Sequence, residues 1–240
     1  MWRWCSLRFG VRIKAVGLVT VGWSTPSALG VDIPIAKKLI RKMGEEECKI
    51  YVPYVPGSSF KGALRSATSR IAEAYGFTSC GFIDPEMINE AHKSGVCDVC
   101  RLFGYPSAGV GGCVSVSDLE LQGDAGTKPA IRITRTRLED ASLKVEEGAL
   151  YTSEHILPDM EFKGFIEIYF EKDEATSIVE TDMLGLILLG LAELRLGRFG
   201  RRSIIDIKLE DLEEVEKRLE GTRWTPLLDD LRRWVWVGAT

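Results

Sequence analysis

From Glu161 to Glu171 the chain alternates polar and apolar residues almost without a break. Phe162, Ile166, Ile168 and Phe170 fall on one face, and Glu161, Lys163, Glu167 and Glu171 on the other. Period-two alternation of this length describes a half-buried strand, whose apolar face must be covered by a second layer. A similar pattern opens the chain: Phe9, Val11, Ile13 and Ala15 alternate with Arg8, Arg12 and Lys14. It predicts a first strand from Leu7 to Val21 with a basic polar face. Two helices supply the cover. One is turned in by Pro56 and Gly57 and capped by Ser58 or Ser59. It carries Phe60, Leu64, Ala67, Ile71 and Tyr75 at helical spacing and ends at Gly76. The other, Asp182 to Leu196, is almost wholly apolar. Cys113 to Leu121 reads as a further strand, and Ser203 to Leu209 as the last.

Strand, helix, strand, strand, helix, strand is the βαββαβ order of a ferredoxin-like α+β fold. Three stretches stand outside that scaffold, at 24–53, 77–112 and 123–159, and long insertions between regular elements are commonly functional or disordered. The body therefore spans 1–210. A C-terminal helical extension over 211–240 is expected to pack Leu227, Leu228, Leu231, Trp234 and Trp236 against it. The acid-rich run Asp206 to Glu220 reads as a solvated face.

With 240 residues, 45% apolar and 28% charged, the chain is long and apolar enough for a large globular core, which excludes disorder, collagen and coiled coil. A net charge of -4 gives no argument for nucleic acid, so any such argument rests on where the 31 basic residues sit. The longest apolar run, Met183 to Leu194, is about half of the roughly 20 residues that a bilayer requires, and no transmembrane helix is expected. Arg3, Arg8, Arg12 and Lys14 ahead of Ala15 to Trp23 imitate a secretory leader, but the alternation argues for a strand. Six cysteines, unevenly placed, do not make a disulfide scaffold, and a Cys-x-x-Cys pair points to metal in a reducing, cytoplasmic setting.

Four constellations could carry chemistry. Cys80, His92, Cys97 and Cys100 offer three thiolates and an imidazole, a closed tetrahedral shell for a structural zinc, with Cys113 as an alternative to Cys80. A thioredoxin-type role fits less well, because Cys97 and Cys100 follow a loop and not a strand. Arg195, Arg198, Arg201 and Arg202 crowd a short loop with Gly197 and Gly200, where guanidinium forks and open backbone suit phosphates and Phe199 offers a face for a base. The helix start brings Ser58, Ser59, Lys61 and Arg65 to free amides and a positive dipole end, although Pro-Gly-Ser-Ser is also simply a turn and cap. Arg132, Arg135 and Arg137 add a third basic cluster. Asp32 stands in the loop after the first strand near Thr25, Ser27 and Gly30, and spacing alone does not single it out.

These residues resemble a known family. Tyr54-Val55-Pro56-Gly57-Ser58-Ser59-Phe60-Lys61-Gly62-Ala63-Leu64-Arg65, then Cys97-Asp98-Val99-Cys100-Arg101-Leu102-Phe103-Gly104, then Arg135-Thr136-Arg137 through Gly148-Ala149-Leu150 to Glu154, and the Gly/Arg loop near Arg198 resemble the CRISPR-associated RAMP superfamily. Within it they resemble the repeated backbone subunit of type III effector complexes. The likeness spans roughly 7–210, and the loop carries only two glycines, fewer than many relatives.

The resemblance implies a modified ferredoxin-like (RRM-like) palm, a thumb over Leu138 to Leu157, and a zinc-bearing fingers-like subdomain. It also implies partners: CRISPR RNA, target RNA, other effector subunits and further copies of the chain stacked in a helical filament. In relatives an aspartate after the first strand cuts paired target RNA with a divalent cation such as Mg or Mn, and Asp32 falls in the matching place. A non-catalytic RNA-binding scaffold is the alternative. A guide-processing ribonuclease is the third reading, disfavoured because neither histidine lies near the first strand in sequence; His155 is given no role.

Overall fold

The two alternating stretches pair with each other. β1 (Trp4–Ala15) runs antiparallel to β8 (Glu161–Glu171), with Phe9 opposite Ile166 and Ile13 opposite Phe162. The computed structural model describes residues 4–22, 30–42, 48–106, 108, 111–123, 129–136, 150–171, 177–200 and 203–236. β9 (Ile205–Glu210) lines the other side of β1, while β4 (Val114–Val116) and β5 (Leu119–Leu121) both pair with β8. β2 (Lys37–Lys42) and β3 (Cys48–Val55) extend the sheet through β5, giving the antiparallel order β2-β3-β5-β8-β1-β9. β6 (Ala130–Arg135) and β7 (Tyr151–Ile156) form a separate two-stranded sheet. Six helices accompany the strands among the described residues: α1 (Gly57–Ile71), α2 (Pro85–Ala91), α3 (Asp98–Phe103), α4 (Ser177–Leu196), α5 (Glu213–Leu219) and α6 (Thr225–Leu231). The fold is mixed α+β.

The apolar faces of β1 and β8 share one buried core with Phe60 and Leu64 of α1 and with Leu184, Leu188 and Leu191 of α4. Burial of these side chains, each worth about 1.5–3 kcal/mol, holds the layers together. None of the described helices is long and apolar enough to cross a membrane.

The opposite face of β1 does not offer free cations. Arg12 lies between Glu161 at 3.8 Å and Glu210 at 3.4 Å, Lys14 pairs with Asp159 at 3.0 Å, and Arg8 stacks 3.4 Å over the Phe165 ring. Acids and an aromatic ring from β8, β9 and the turn before β8 thus occupy the basic stripe that the sequence displayed.

Other expectations are corrected. β1 ends at Ala15, where the chain bends, and only isolated bridges at Val19 and Gly22 continue it. Residues 113–121 break into β4 and β5, and 24–53 contains part of the sheet and is not merely a loop. The first helix is not capped by Ser58 or Ser59. Its leading amide, on Gly57, donates to Asp118 Oδ1 at 2.9 Å from the β4–β5 turn. That approach requires glycine, because a Cβ on Gly57 would overlap the carbonyl oxygen of Val116. In the C-terminal extension Leu228 and Leu231 are buried as expected, but Trp236 is exposed and Trp224 takes the buried aromatic position. Asp206, expected on a solvated face, is fully buried. Its carboxylate accepts from the amides of Ile207, Val235 and Trp236 and fastens the extension to β9.

Candidate nucleic-acid interface and metal centre

The 77–112 insertion closes on itself through Thr78 and Asp98. The Thr78 amide and hydroxyl donate to Asp98 Oδ2 at 2.8 and 2.7 Å, and the Asp98 amide returns to Thr78 Oγ1 at 2.9 Å. This clasp brings Cys80 to Cys97 and Cys100, which open and line α3, while His92 arrives at the end of α2. One ligand atom from each of the four lies within 4.8 Å of the others. Cys80 Sγ and Cys100 Sγ are 3.6 Å apart.

The donor set fits a metal on an independent ground. Both ring nitrogens of His92 are buried without a hydrogen-bond partner, although the ring is held edge-on to Tyr105 at 4.8 Å. A buried imidazole seldom leaves both nitrogens unsatisfied, and coordination satisfies one. Burial, together with the Cys97 and Cys80 sulfurs, pushes the Cys100 thiol up to about 12. Burial works the same way on Cys80, but the Phe82 backbone and the sulfurs of Cys100 and Cys97 hold its thiol below the ordinary value. A cation among the sulfurs would favour their thiolate forms. The four residues can therefore hold a metal such as zinc. Cys113 stands apart, donating to the Arg101 carbonyl at 3.5 Å, so Cys80 is the member of the group. The Cys97–Cys100 pair does open a helix, but one that follows a loop.

The basic residues separate into those the fold turns inward and those it leaves on a surface. Arg195 is 5% exposed. Its guanidinium donates to the carbonyls of Ile207, Asp230 and Arg233, which removes it from any RNA path. Phe199 is buried against Phe60 with ring centres 6.2 Å apart and offers no stacking face. Lys61 reaches inward to the carbonyl of Val114 at 2.7 Å, and burial, with Arg65 nearby, pulls its pKa down. Arg65 donates to Cys100 Sγ at 3.1 Å and the Gly104 carbonyl at 3.0 Å. Arg132 contacts Glu154 Oε1 at 3.3 Å. Arg137, Arg201, Arg202 and most of the expected thumb, 138–149, lie outside the described residues.

What remains is concave. Ser59, Ser66 and Arg70 of α1 face exposed Arg198 and Gly200 across a groove of about 440 Å³, with Arg70 Nε donating to Glu193 Oε1 at 3.0 Å; Ser58 is exposed at the start of α1. A second cavity of about 640 Å³ lies between β6–β7 and the segment after β1, lined by Ile33, Arg135, Tyr151, Ser153, His155 and Ser203. Thr20 and Gly22 line both. Asp32 borders this region. It is exposed, its Oδ2 accepts from the Thr152 amide at 2.7 Å, and its neighbour Ile33 bridges to Ser153.

The family model of the RAMP superfamily matches residues 50–204. The chain belongs to the RAMP superfamily. RAMP proteins are CRISPR-associated, generally bind CRISPR RNA together with other CRISPR-associated subunits, and have ferredoxin-like domains. No curated protein matches the chain.

Against this RAMP background the unforeseen residue is His155. Sequence order places it far from the first strand, yet its Nδ1 lies 2.6 Å from Thr20 Oγ1 and its Nε2 2.8 Å from Ser153 Oγ, with Arg135 Nη2 at 3.5 Å. Burial, assisted by the Arg135 charge, holds its pKa below 6.5, so the ring is neutral at neutral pH. Ser153 lies two residues away on β7, but Thr20 and Arg135 come from 135 and 20 residues away, and no local spacing announces them.

Proposed function

We propose that this RAMP protein is a guide-RNA-binding backbone subunit of a type III CRISPR interference complex, stacking with copies of itself along the RNA and cleaving paired target RNA at Asp32. In this reading β1, α1, β4–β5, β8, α4 and β9 are a modified ferredoxin-like palm within 1–210. Residues 77–112 form its zinc-bearing subdomain and 123–159 its thumb, and 211–240 is an added helical extension. The carrying observation is that the groove and the cavity share Thr20 and Gly22. Arg70, Arg198 and Arg135 therefore border one run of concave surface with Ser59, Ser66, Ser153 and Ser203. Such a track suits a ribose-phosphate chain, whose binding depends on where cations lie and not on a total of -4.

For cleavage, the 2'-oxygen beside the scissile phosphate bonds to the phosphorus as the bond to the 5'-oxygen breaks, giving a 2',3'-cyclic phosphate; Asp32 accepts the 2'-hydroxyl proton, and solvent water protonates the departing 5'-oxygen. Asp32 is the side chain that would contact a divalent cation such as Mg or Mn in this reading. Among the described residues the one group of three or more ligating side chains is the Cys/His set, and Asp32 brings a single carboxylate. No step is assigned to that ion. The assembled complex with Asp32→Ala tests the reading. Loss of cuts at regular intervals supports it, whereas unchanged cuts leave the scaffold role without catalysis, and absence of guide RNA from the purified complex overturns both.

A further inference from the structure

We propose that the cavity between β6–β7 and the segment after β1 is a subsite for a single nucleotide, its phosphate toward Arg135 and its base toward Tyr151. Three polar side chains are folded inside around this space, at 3% exposure for Ser153, 6% for His155 and 4% for Ser203. Burying hydroxyls and an imidazole costs free energy that mutual hydrogen bonds only partly recover, so such groups gather where a ligand meets them. The volume, about 640 Å³, falls within the range of small-molecule sites.

The lining selects the ligand. No acidic side chain lines the cavity among the described residues, because Glu154 bonds instead with Lys37 at 2.7 Å and with Arg132. With His155 neutral, Arg135 supplies the formal charge, and a guanidinium favours an anion with several oxygens. Thr20, Ser153 and Ser203 bring hydroxyls that donate or accept, as a ribose requires. Tyr151, Ile33 and Leu18 give the space an apolar side for a flat ring. Anion, hydroxyls and flat ring together describe a nucleotide, free or as one unit of a strand. The strand case rests on the RNA-binding reading above, and the free case does not.

The test follows the ring signals of His155 by NMR in the full-length protein during millimolar titration with uridine 5'-monophosphate. Of the two histidines in the sequence, His155 is assigned through the His155→Gln variant. The expected result is a saturable shift that inorganic phosphate alone does not reproduce. Arg135→Gln should weaken it about tenfold, the loss of one charge-assisted hydrogen bond, while Lys217→Gln, on the exposed side of α5, leaves it unchanged. Single-stranded RNA that displaces the mononucleotide identifies the ligand as a unit of the strand. RNA that binds without displacing it leaves the subsite to free nucleotides, and RNA that does not bind at all removes the RNA reading while the subsite stands. If the mononucleotide leaves the His155 signals unmoved, or Arg135→Gln binds it like the wild type, the subsite is overturned.

Discussion

Arg65 holds Cys100 Sγ with one arm at 3.1 Å and the Gly104 carbonyl with the other at 3.0 Å, so α1 is tied directly to a sulfur of the candidate metal group. A residue in the motif that begins the helix thereby braces the candidate metal centre. Stripping the metal with a chelator should release the 78–104 region, which would lose hydrogen-exchange protection, while β1 and β8 stay protected by their own core. Apparent zinc contributions reach about 10–16 kcal/mol in isolated finger peptides. Here Val99, Leu102 and Phe103 are also buried in the common core, and the melting temperature should fall by several degrees without global unfolding. Exchange that is identical before and after chelation would remove the structural metal.

A glycine inside a helix normally invites replacement by alanine, which gains about 1 kcal/mol in helix propensity. Gly190 in α4 should do the reverse. A Cβ there would overlap Thr68 Oγ1 and come within 3.2 Å of Leu64 Cδ1, and Thr68 is fully buried between the two helices. Overpacking of this kind costs roughly 1–3 kcal/mol. Gly190→Ala is expected to lower the denaturant midpoint, and Thr68→Ala in the same chain to recover part of the loss. A midpoint raised by Gly190→Ala alone would show that α1 and α4 do not meet at this point.

Glu154 carries a pH signature. Burial pushes its carboxyl up, but Lys37, the Ile35 amide and Arg132 outweigh it and hold the pKa below 4.5 in the folded protein. A depressed folded value contributes stability that is present above the unfolded pKa and lost as pH falls through the folded one. The wild type should therefore lose stability as the solution is acidified below about pH 4.5, and Glu154→Gln should show a flatter acid limb. At neutral pH that variant should be less stable by about 2 kcal/mol, since Lys37 is left without its buried partner. Urea titrations at several pH values decide it. Parallel curves for the two proteins would sink the assignment.

Legibility followed whether a signal was local. The strand at 161–171 was readable to the residue because its alternation is nearly complete, broken at Gly164, Phe165 and Tyr169, and its partners only had to cover one face. Three thiols and a histidine within one insertion announced the metal group, since chelating turns are short-range objects. The β2–β3 hairpin was not visible, because Lys37-Lys38-Leu39-Ile40-Arg41-Lys42 lacks period two and owes its place to pairing with β3. The cavity was hidden for the same reason. Thr20, Ser153 and Ser203 are ordinary hydroxyls in sequence and converge only after β7 bridges back to Val19 and Ile33. Arginine density also misled: a guanidinium can be drawn to buried carbonyls as well as to phosphates, and sequence does not say which is nearer.

That ambiguity separates Arg195 from Arg198, three residues apart in one motif. Burial pulls the Arg195 pKa down, against the nearby charges of Asp206 and Asp230, and its three carbonyl partners include two at the end of α6 and beyond. Arg195→Met should loosen the C-terminal extension, cost about 2–4 kcal/mol through carbonyls left without a donor, and leave RNA affinity per folded molecule unchanged. Arg198→Glu should do the opposite. Arg198 is exposed on the groove opposite Arg70, so the substitution should leave the melting temperature near that of the wild type. It should weaken single-stranded RNA at every sequence and lower the slope of log affinity against log salt by about 0.7 for each phosphate that the protein no longer neutralises. Binding isotherms at several salt concentrations, read beside thermal melts, check both. An Arg198→Glu protein with wild-type affinity and slope would take the groove out of the RNA path. An Arg195→Met protein with an intact melt would show that the extension is anchored by Asp206 without it.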